Sequence, residues 1–285
     1  MKTKKQDANM NRIKLMINGL PGKVAETVCH HALVDKRFSI LPYSLTGPDV
    51  TNSHHDVEGA SFALVKPDVR ESLIGKILET EGPFISVDYT HPTAVNANAD
   101  FYCRMGLPFV MGTTGGDRQK VFECVCSSGI PAVIAPNMVK QIVGLMAMLD
   151  YAASTFPGLF KGYSMDVVES HQSWKADTSG TAKAMIGYFN TLGVDFKEED
   201  IRMERDPEIQ KSQWKIPEQY LDGHGWHTYT LDSPDRAARF AFTHNISGRD
   251  VYAEGTLDAV VYLQGKVNQG AKGQVYSMID VLKNA

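Results

Sequence analysis

The sequence predicts a doubly wound, Rossmann-like parallel α/β sheet joined to an α+β domain with an open mixed sheet. Three observations carry that prediction: a strand, glycine turn and helix at the start, short continuous apolar runs at intervals that suit alternating strands and helices, and period-two patterns late in the chain. At 285 residues, with 43% hydrophobic and 22% charged composition, the chain can bury one large core or two modest ones.

The first element is "RIKLMINGLPGKVAETV", an apolar run that turns through Gly19 and Gly22 and continues with Val24 and Val28 at helical spacing. Glycines let the backbone approach a pyrophosphate, and a helix start offers it free amides and a positive dipole end. Gly19, Pro21, Gly22, Lys23 and Val24 are therefore candidate cofactor contacts, in a GxxGxxA pattern closed by Ala25.

The runs "FSILPYSL", "FALVKP", "FISVDYT", "PFVMGTTG" and "PAVIAPN" follow as strands, with "DVRESLIGKILE" as a helix between two of them. Ligands of such sheets sit at the carboxyl ends of the strands. Those ends place Asp88, Thr90, Gly112, Thr113, Pro136 and Asn137 as cofactor contacts and Thr114 beside them. The end of the second strand carries Ser44, Leu45, Thr46 and Gly47, with no acid before Asp49. Without a carboxylate to repel a 2′-phosphate, Ser44, Thr46 and Lys23 favour NADPH, with NADH also usable.

After Asn137, "VKQIVGLMAMLDYAASTF" is an amphipathic helix leading into a second domain. Next, "SMDVVES" is a strand, with His171 to Thr178 as the loop at its end. Ser179 caps a helix whose Ala182, Met185, Ile186 and Phe189 share a face. Ser179, Gly180 and Thr181 at a helix start suit a carboxylate, Lys175 adds positive charge, and His171 exchanges a proton near neutral pH. The loop thus describes a pocket for a small acid that gains or loses a proton.

The loop "ESHQSWKADTSGTAK" resembles the active-site loop of the dihydrodipicolinate (4-hydroxy-tetrahydrodipicolinate) reductases of diaminopimelate and lysine biosynthesis. "GLPGKVA", "VDYTHP", "GTTG", "APN" and "YSMIDVL" extend the resemblance over nearly the whole chain. "GRDVYAEGTLDAVVYL" and the inserted "RMERDPEIQKSQWKIPEQYLDGHGWHTY" are similar to the plant-type branch. The resemblance implies hydride transfer from NAD(P)H to a cyclic unsaturated dicarboxylate, with a proton delivered to the neighbouring carbon. It implies His171 as proton donor, Lys175 as its assistant, and Thr114, Gln172, Ser179, Gly180 and Thr181 as substrate contacts. It also implies a homo-oligomer, dimer or tetramer, assembled through the second domain. Gln172 stands where the family loop commonly has a second histidine, so proton delivery rests on His171.

The expected domains are 1–137, completed by about 255–285, for the dinucleotide, and 138–254 for substrate binding and oligomerisation. His227 and His244 have two readings, a catalytic one and the preferred one, in which they pack or line a subunit interface. Arg249 is open between a hinge and a substrate contact. The charged run Lys197 to Glu208 is expected as a solvated helix or loop.

A net charge of -4 with pI near 6.1 gives no nucleic-acid footprint. No apolar segment is long enough for a membrane span, and "MKTKKQDANMNRIK" lacks the core of a secretory signal. The reading is cytoplasmic, or plastid stroma if a transit peptide has been removed. Four cysteines without ligand spacing read as reduced packing residues, and no metal is expected. Two alternatives stand beside the reductase: a non-catalytic, reductase-like scaffold or assembly protein, and a dehydrogenase of the same fold acting on another small acid. The first has no need of His171, Lys175 and the Ser-Gly-Thr turn, and the second would not be expected to keep all of them.

Overall fold

The computed structural model describes residues 12–284, so the segment MKTKKQDANMN lies outside the described residues. The chain divides into two compact units, one running to Met138 and resuming at Tyr252, the other Val139–Val251.

The first unit is built on a six-stranded parallel sheet. Its strands are β1 (Ile13–Asn18), β2 (Phe38–Ile40), β6 (Ile85–Asp88), β7 (Phe109–Met111), β8 (Ala132–Ile134) and β13 (Val275–Tyr276), in the order β13-β8-β7-β6-β1-β2. Its helices are α1 (Lys23–Val34), α2 (Arg70–Glu81), α3 (Val95–Arg104), α4 (Arg118–Cys126) and α9 (Met278–Leu282), together with most of α8 (Asp250–Asn268). Alternate strand residues serve opposite faces. Met16 joins a core with Ile74, Ile77, Ala99, Tyr102, Val121 and Val125 from α2, α3 and α4. Its neighbours Leu15 and Ile17 point the other way and are equally buried. Both faces of the sheet are therefore covered, which explains why the strands read as unbroken apolar runs.

Two of those runs leave this sheet. "FSILPYSL" breaks at Pro42, which has no N–H to donate to a ladder. The half after the break is β3 (Tyr43–Leu45), which pairs with β5 (Ala60–Val65). With β4 (His54–Val57), these form a separate three-stranded sheet. "FALVKP" is β5 and belongs there too.

The second unit carries a mixed sheet of β9 (Ser164–His171), β10 (Arg202–Glu204), β11 (His224–Asp232) and β12 (Arg239–Ser247), in the order β10-β9-β11-β12. Helices α5 (Lys140–Thr155) and α6 (Gly180–Thr191) pack on one face, and the short α7 (Pro207–Ser212) follows β10. Ala182, Met185, Ile186 and Phe189, the stripe read from helical spacing, are all buried with Val167, Tyr229 and Leu231 from the sheet. The Phe189 ring lies 5.9 Å from Tyr229 and 5.4 Å from Phe242, centroid to centroid.

Parallel register places the carboxyl ends of β1, β6, β7 and β8 along one rim, through the pairs Asn18–Asp88, Asp88–Met111 and Met111–Ile134. Asp88, fully buried, organises that rim. Its Oδ1 accepts from the Thr90 amide (3.1 Å) and from the hydroxyls of Thr90 (2.9 Å) and Thr113 (2.6 Å). Its Oδ2 accepts from Tyr102 (2.7 Å) and Asn98 (3.0 Å). Burial, and then the charge of Asp88, pushes the Tyr102 phenol well above its ordinary pKa, so it remains a donor. Tyr102→Phe removes one donor from a buried carboxylate; a loss of about 1–3 kcal/mol, read as a lower urea midpoint at unchanged slope, is the expected outcome.

Candidate functional site

The glycine turn of the first unit fits a dinucleotide pyrophosphate. Gly19 has φ +112°, and a Cβ there would collide with the Tyr89 carbonyl. Gly22 is the N-cap of α1, with no side chain bonding to the helix amides. Pro21, Gly22 and Lys23 are exposed around that bare start, with Val24 half-buried. Gly112 lies against the Tyr89 ring, which any side chain at 112 would strike. Thr114 is exposed in the loop after β7; Pro136 and Asn137 follow β8, the first exposed and the second half-buried.

Ser44 and Thr46 have a different task from the phosphate contact expected of them. Ser44 is fully buried, and its Oγ accepts from the Leu20 amide (3.2 Å). The Thr46 hydroxyl donates to the Leu20 carbonyl (2.9 Å). Both hydroxyls brace the turn from beneath, because β3 runs alongside the end of β1 and closes over it. Asp88, Thr90 and Thr113 are likewise engaged with one another.

In the second unit β11 pairs antiparallel with β9 as far as Gly225–His171, so His171 is the last strand residue and the loop begins at Gln172. Glu169 is fully buried two residues earlier. Its Oε1 meets Arg205 Nη2 at 2.5 Å, and its Oε2 accepts from the Ser179 amide at 3.0 Å. Burial pushes its carboxyl up, but hydrogen bonds from His227, the Ser179 amide and Arg205 outweigh this and hold it at about 2.

Arg205 belongs to the run expected to be solvated. Instead it is mostly buried, and its guanidinium donates to the Lys175 carbonyl (2.9 Å) as well as to Glu169. Gln210, also fully buried, donates to the His171 carbonyl (2.7 Å). The loop is thus tied down at its start, middle and end. A charge run gives no sign of this, because burial of Arg205 depends on a partner, Glu169, 36 residues away in sequence.

His171 Nδ1 lies 3.1 Å from the His224 carbonyl, an acceptor, so Nδ1 carries the proton and Nε2 is left for chemistry. His171 Nε2 is 3.3 Å from His227 Nε2, which is 3.6 Å from Glu169 Oε2. Burial, and then repulsion by His227, holds His171 down at about 3, so its imidazole is neutral near pH 7. His227, read as either catalytic or packing, is almost fully buried and lies against His171. His244 stacks on His227 at 4.6 Å and is held down at about 4, chiefly by burial.

Lys175 pairs with the exposed Asp177 at 2.5 Å, and Gln172 lies half-buried between it and His171. Ser179 caps α6, its Oγ accepting from the Thr181 amide (3.2 Å), with Gly180 exposed between them. The Ser179 and Thr181 amides are therefore engaged within the turn. Arg249 donates to the Asp222 carbonyl (3.0 Å) and packs against Gly223. Glu169, His171 and His227 each offer a ligand atom within 4.8 Å of the others. Both Glu169 oxygens are already hydrogen-bonded, and one of them meets a guanidinium.

A parallel dinucleotide sheet with a bare helix start, and a second unit presenting a neutral histidine beside a lysine, define a two-part α/β oxidoreductase. The chain belongs to the dihydrodipicolinate reductase family: the model of that reductase's N-terminus matches residues 13–138 and the model of its C-terminus residues 142–282. It is 44% identical to 4-hydroxy-tetrahydrodipicolinate reductase 1, chloroplastic, of Arabidopsis thaliana, over 96% of this chain and 78% of that protein. Identity to the probable chloroplastic reductase 1 of Oryza sativa subsp. japonica is 42%, over 94% and 78%. The fold is similar to that of the dipicolinate-bound dihydrodipicolinate reductase from Paenisporosarcina sp. TG-14, with TM-score 0.63 at 17% identity, covering 93% of this chain and 97% of that one.

Arg205→Ala leaves the Glu169 charge buried and unpaired; a loss of about 3–5 kcal/mol, measured by urea denaturation, is expected. Acid should weaken the second unit from a higher pH than carboxylates alone would set. His171 and His244 titrate near 6.5 when unfolded and near 3 and 4 when folded, so the unfolded chain binds more protons across that interval. Stability falls as pH drops below 6.5, and Glu169 adds a further loss from about 4.5 down to 2. The melting temperature of His171→Gln should fall less steeply between pH 6.5 and 4 than that of the wild type.

Proposed function

We propose that the two units divide one reaction: the first holds the dinucleotide at the Gly19 to Val24 turn and the sheet rim, and the second holds the acid substrate and its proton donor. The chain is an NAD(P)H-dependent oxidoreductase of the 4-hydroxy-tetrahydrodipicolinate reductase type, acting in diaminopimelate and lysine biosynthesis. The nicotinamide, when bound, supplies hydride to the unsaturated ring, and the protein's own groups must deliver the accompanying proton.

One observation carries the assignment of roles: the His171 tautomer fixed by the His224 carbonyl, which leaves Nε2 to gain and lose a proton. Substrate carboxylates add negative charge around a neutral imidazole and raise its proton affinity, so His171 protonates as the site fills and then gives that proton to carbon. Lys175 exchanges Asp177, an exposed partner, for the substrate and stabilises its developing charge. Ser179, Gly180, Thr181, Gln172 and Thr114 hold the carboxylates.

NADPH is the preferred donor in this reading, with NADH also accepted. Ser44 and Thr46 no longer support that preference, which rests on exposed Lys23 and on the missing acid after the second strand. The second unit is the surface for self-association, where Met203 and Phe240 are exposed on its sheet. Among the described residues no helix is long and apolar enough to cross a membrane. The plant relatives are named chloroplastic, which supports the plastid stroma against the cytoplasm expected from the N-terminal segment.

The test is coupled turnover, in which dihydrodipicolinate synthase makes the substrate and absorbance follows NADPH and NADH separately. The expected result is robust oxidation, faster with NADPH, and a loss of roughly a hundredfold or more in His171→Ala with dinucleotide affinity unchanged. Tight NADPH binding without oxidation by the wild type would sink the catalytic reading and favour the scaffold alternative.

A further inference from the structure

Two glycines of the dinucleotide site, Gly19 in the turn and Gly112 at the rim, are denied a side chain by the same neighbour. A Cβ at Gly19 would collide with the Tyr89 carbonyl, and one at Gly112 would collide with the Tyr89 ring. Tyr89 follows directly on β6, and its amide donates to the Asn18 carbonyl at the end of β1 (3.0 Å). On the other side the Gly19 amide donates to the Leu45 carbonyl of β3 (2.9 Å). The turn is thus gripped between β3 and Tyr89. Neither glycine has a side chain to absorb a shift, so any movement of Tyr89 passes directly into the backbone that faces the cofactor.

The far end of the Tyr89 ring is fixed by a chain of hydroxyls with a single possible polarity. Thr256 on α8 is fully buried, and its hydroxyl donates to the Tyr252 carbonyl one helical turn back (2.7 Å). A hydroxyl has one proton to give, and Thr256 has spent it. The Tyr89 hydroxyl, which is hydrogen-bonded to Thr256, is therefore the donor in that pair. A phenylalanine would fill the same space against Gly112, so the packing alone does not call for the phenol. What the hydroxyl adds is a tether that sets how far the ring stands from α8.

We propose that Tyr89 is a positioning residue of the dinucleotide site: its hydroxyl, donating to Thr256, holds the Gly19 turn and the Gly112 rim at the spacing that NADPH binding requires. The proposal rests on the reading of the first unit as the dinucleotide site. The polarity of the chain makes the two ends of the tether unequal. Tyr89→Phe leaves Thr256 its own donor bond to Tyr252 and costs only the tether. Thr256→Val leaves a buried phenol with no acceptor, which drives the ring out of place in search of one. Removing the phenol as well relieves that second fault.

The experiment measures NADPH affinity, steady-state kinetics and melting temperature for Tyr89→Phe, Thr256→Val, the double variant and Thr256→Ser. The expected result is NADPH affinity weakened roughly threefold to tenfold in Tyr89→Phe, the scale of one hydrogen bond, and further in Thr256→Val. The double variant should bind as Tyr89→Phe does, more tightly than Thr256→Val, and Thr256→Ser, which keeps the hydroxyl, should stay close to wild type. KM for the acid substrate and kcat at saturating NADPH should remain within about twofold in Tyr89→Phe. A structural role alone would lower the melting temperature and leave NADPH affinity in place. Affinity within about twofold of wild type in Tyr89→Phe overturns the proposal, as does a double variant no tighter than Thr256→Val. If Thr256→Val does not fold, the nearly isosteric Tyr89→Phe decides alone by the same limit. A wild-type chain that binds neither NADPH nor NADH would instead overturn the dinucleotide reading on which this rests.

Discussion

An ionised carboxylate with no access to water is what the second unit depends on. Glu169 can stay charged only because Arg205, the Ser179 amide and His227 all reach it, and each of these also serves the site. Arg205 holds the backbone of Lys175, Ser179 begins α6, and His227 faces His171. A buried charge left without its partners costs several kcal/mol, so these contacts form together or not at all. The Glu169 contacts therefore set the loop's geometry, which follows from the requirement that the charge be satisfied.

The first unit solves a similar problem with Asp88. There the partners are neutral hydroxyls and an amide side chain, and what they organise is the rim of a parallel sheet. The contrast suits the two tasks. A dinucleotide needs a rigid backbone surface with small residues, which a neutral network under the turn provides. In the role proposed for His171, a nearby fixed charge stabilises the protonated ring, which Glu169 provides and a neutral network could not.

Much of this was legible in the sequence, and the boundary has physical causes. Apolar runs of strand length marked β1, β6, β7 and β8, and helical spacing marked the buried stripe of α6 residue by residue, because both signals come from local geometry. "FSILPYSL" misled because one continuous apolar run served two sheets, and only Pro42 hinted at the break. Ser44 and Thr46 looked like ligand groups because hydroxyls at a strand end suit a phosphate equally well as they suit the underside of a turn. Arg205 and Gln210 were not legible as site residues, and His227 was legible only as one of two readings. Each is brought to the loop by strand pairing between segments far apart in sequence, and no local pattern records that register.

The contact between Tyr89 and Thr256 bears on how this architecture can be divided. Tyr89 abuts Gly19 with its carbonyl and Gly112 with its ring, and its hydroxyl is hydrogen-bonded to Thr256 on α8. The nucleotide turn is therefore braced by a segment that arrives only after the chain has made the whole second unit. In modular terms the second unit is an insertion, not an appendage. Cutting the gene after residue 138 would free a piece that has the turn but not its brace. A functional separation of the halves would have to splice the segment from Tyr252 onward back onto the first, and recombination that swaps substrate units between related chains must respect two junctions.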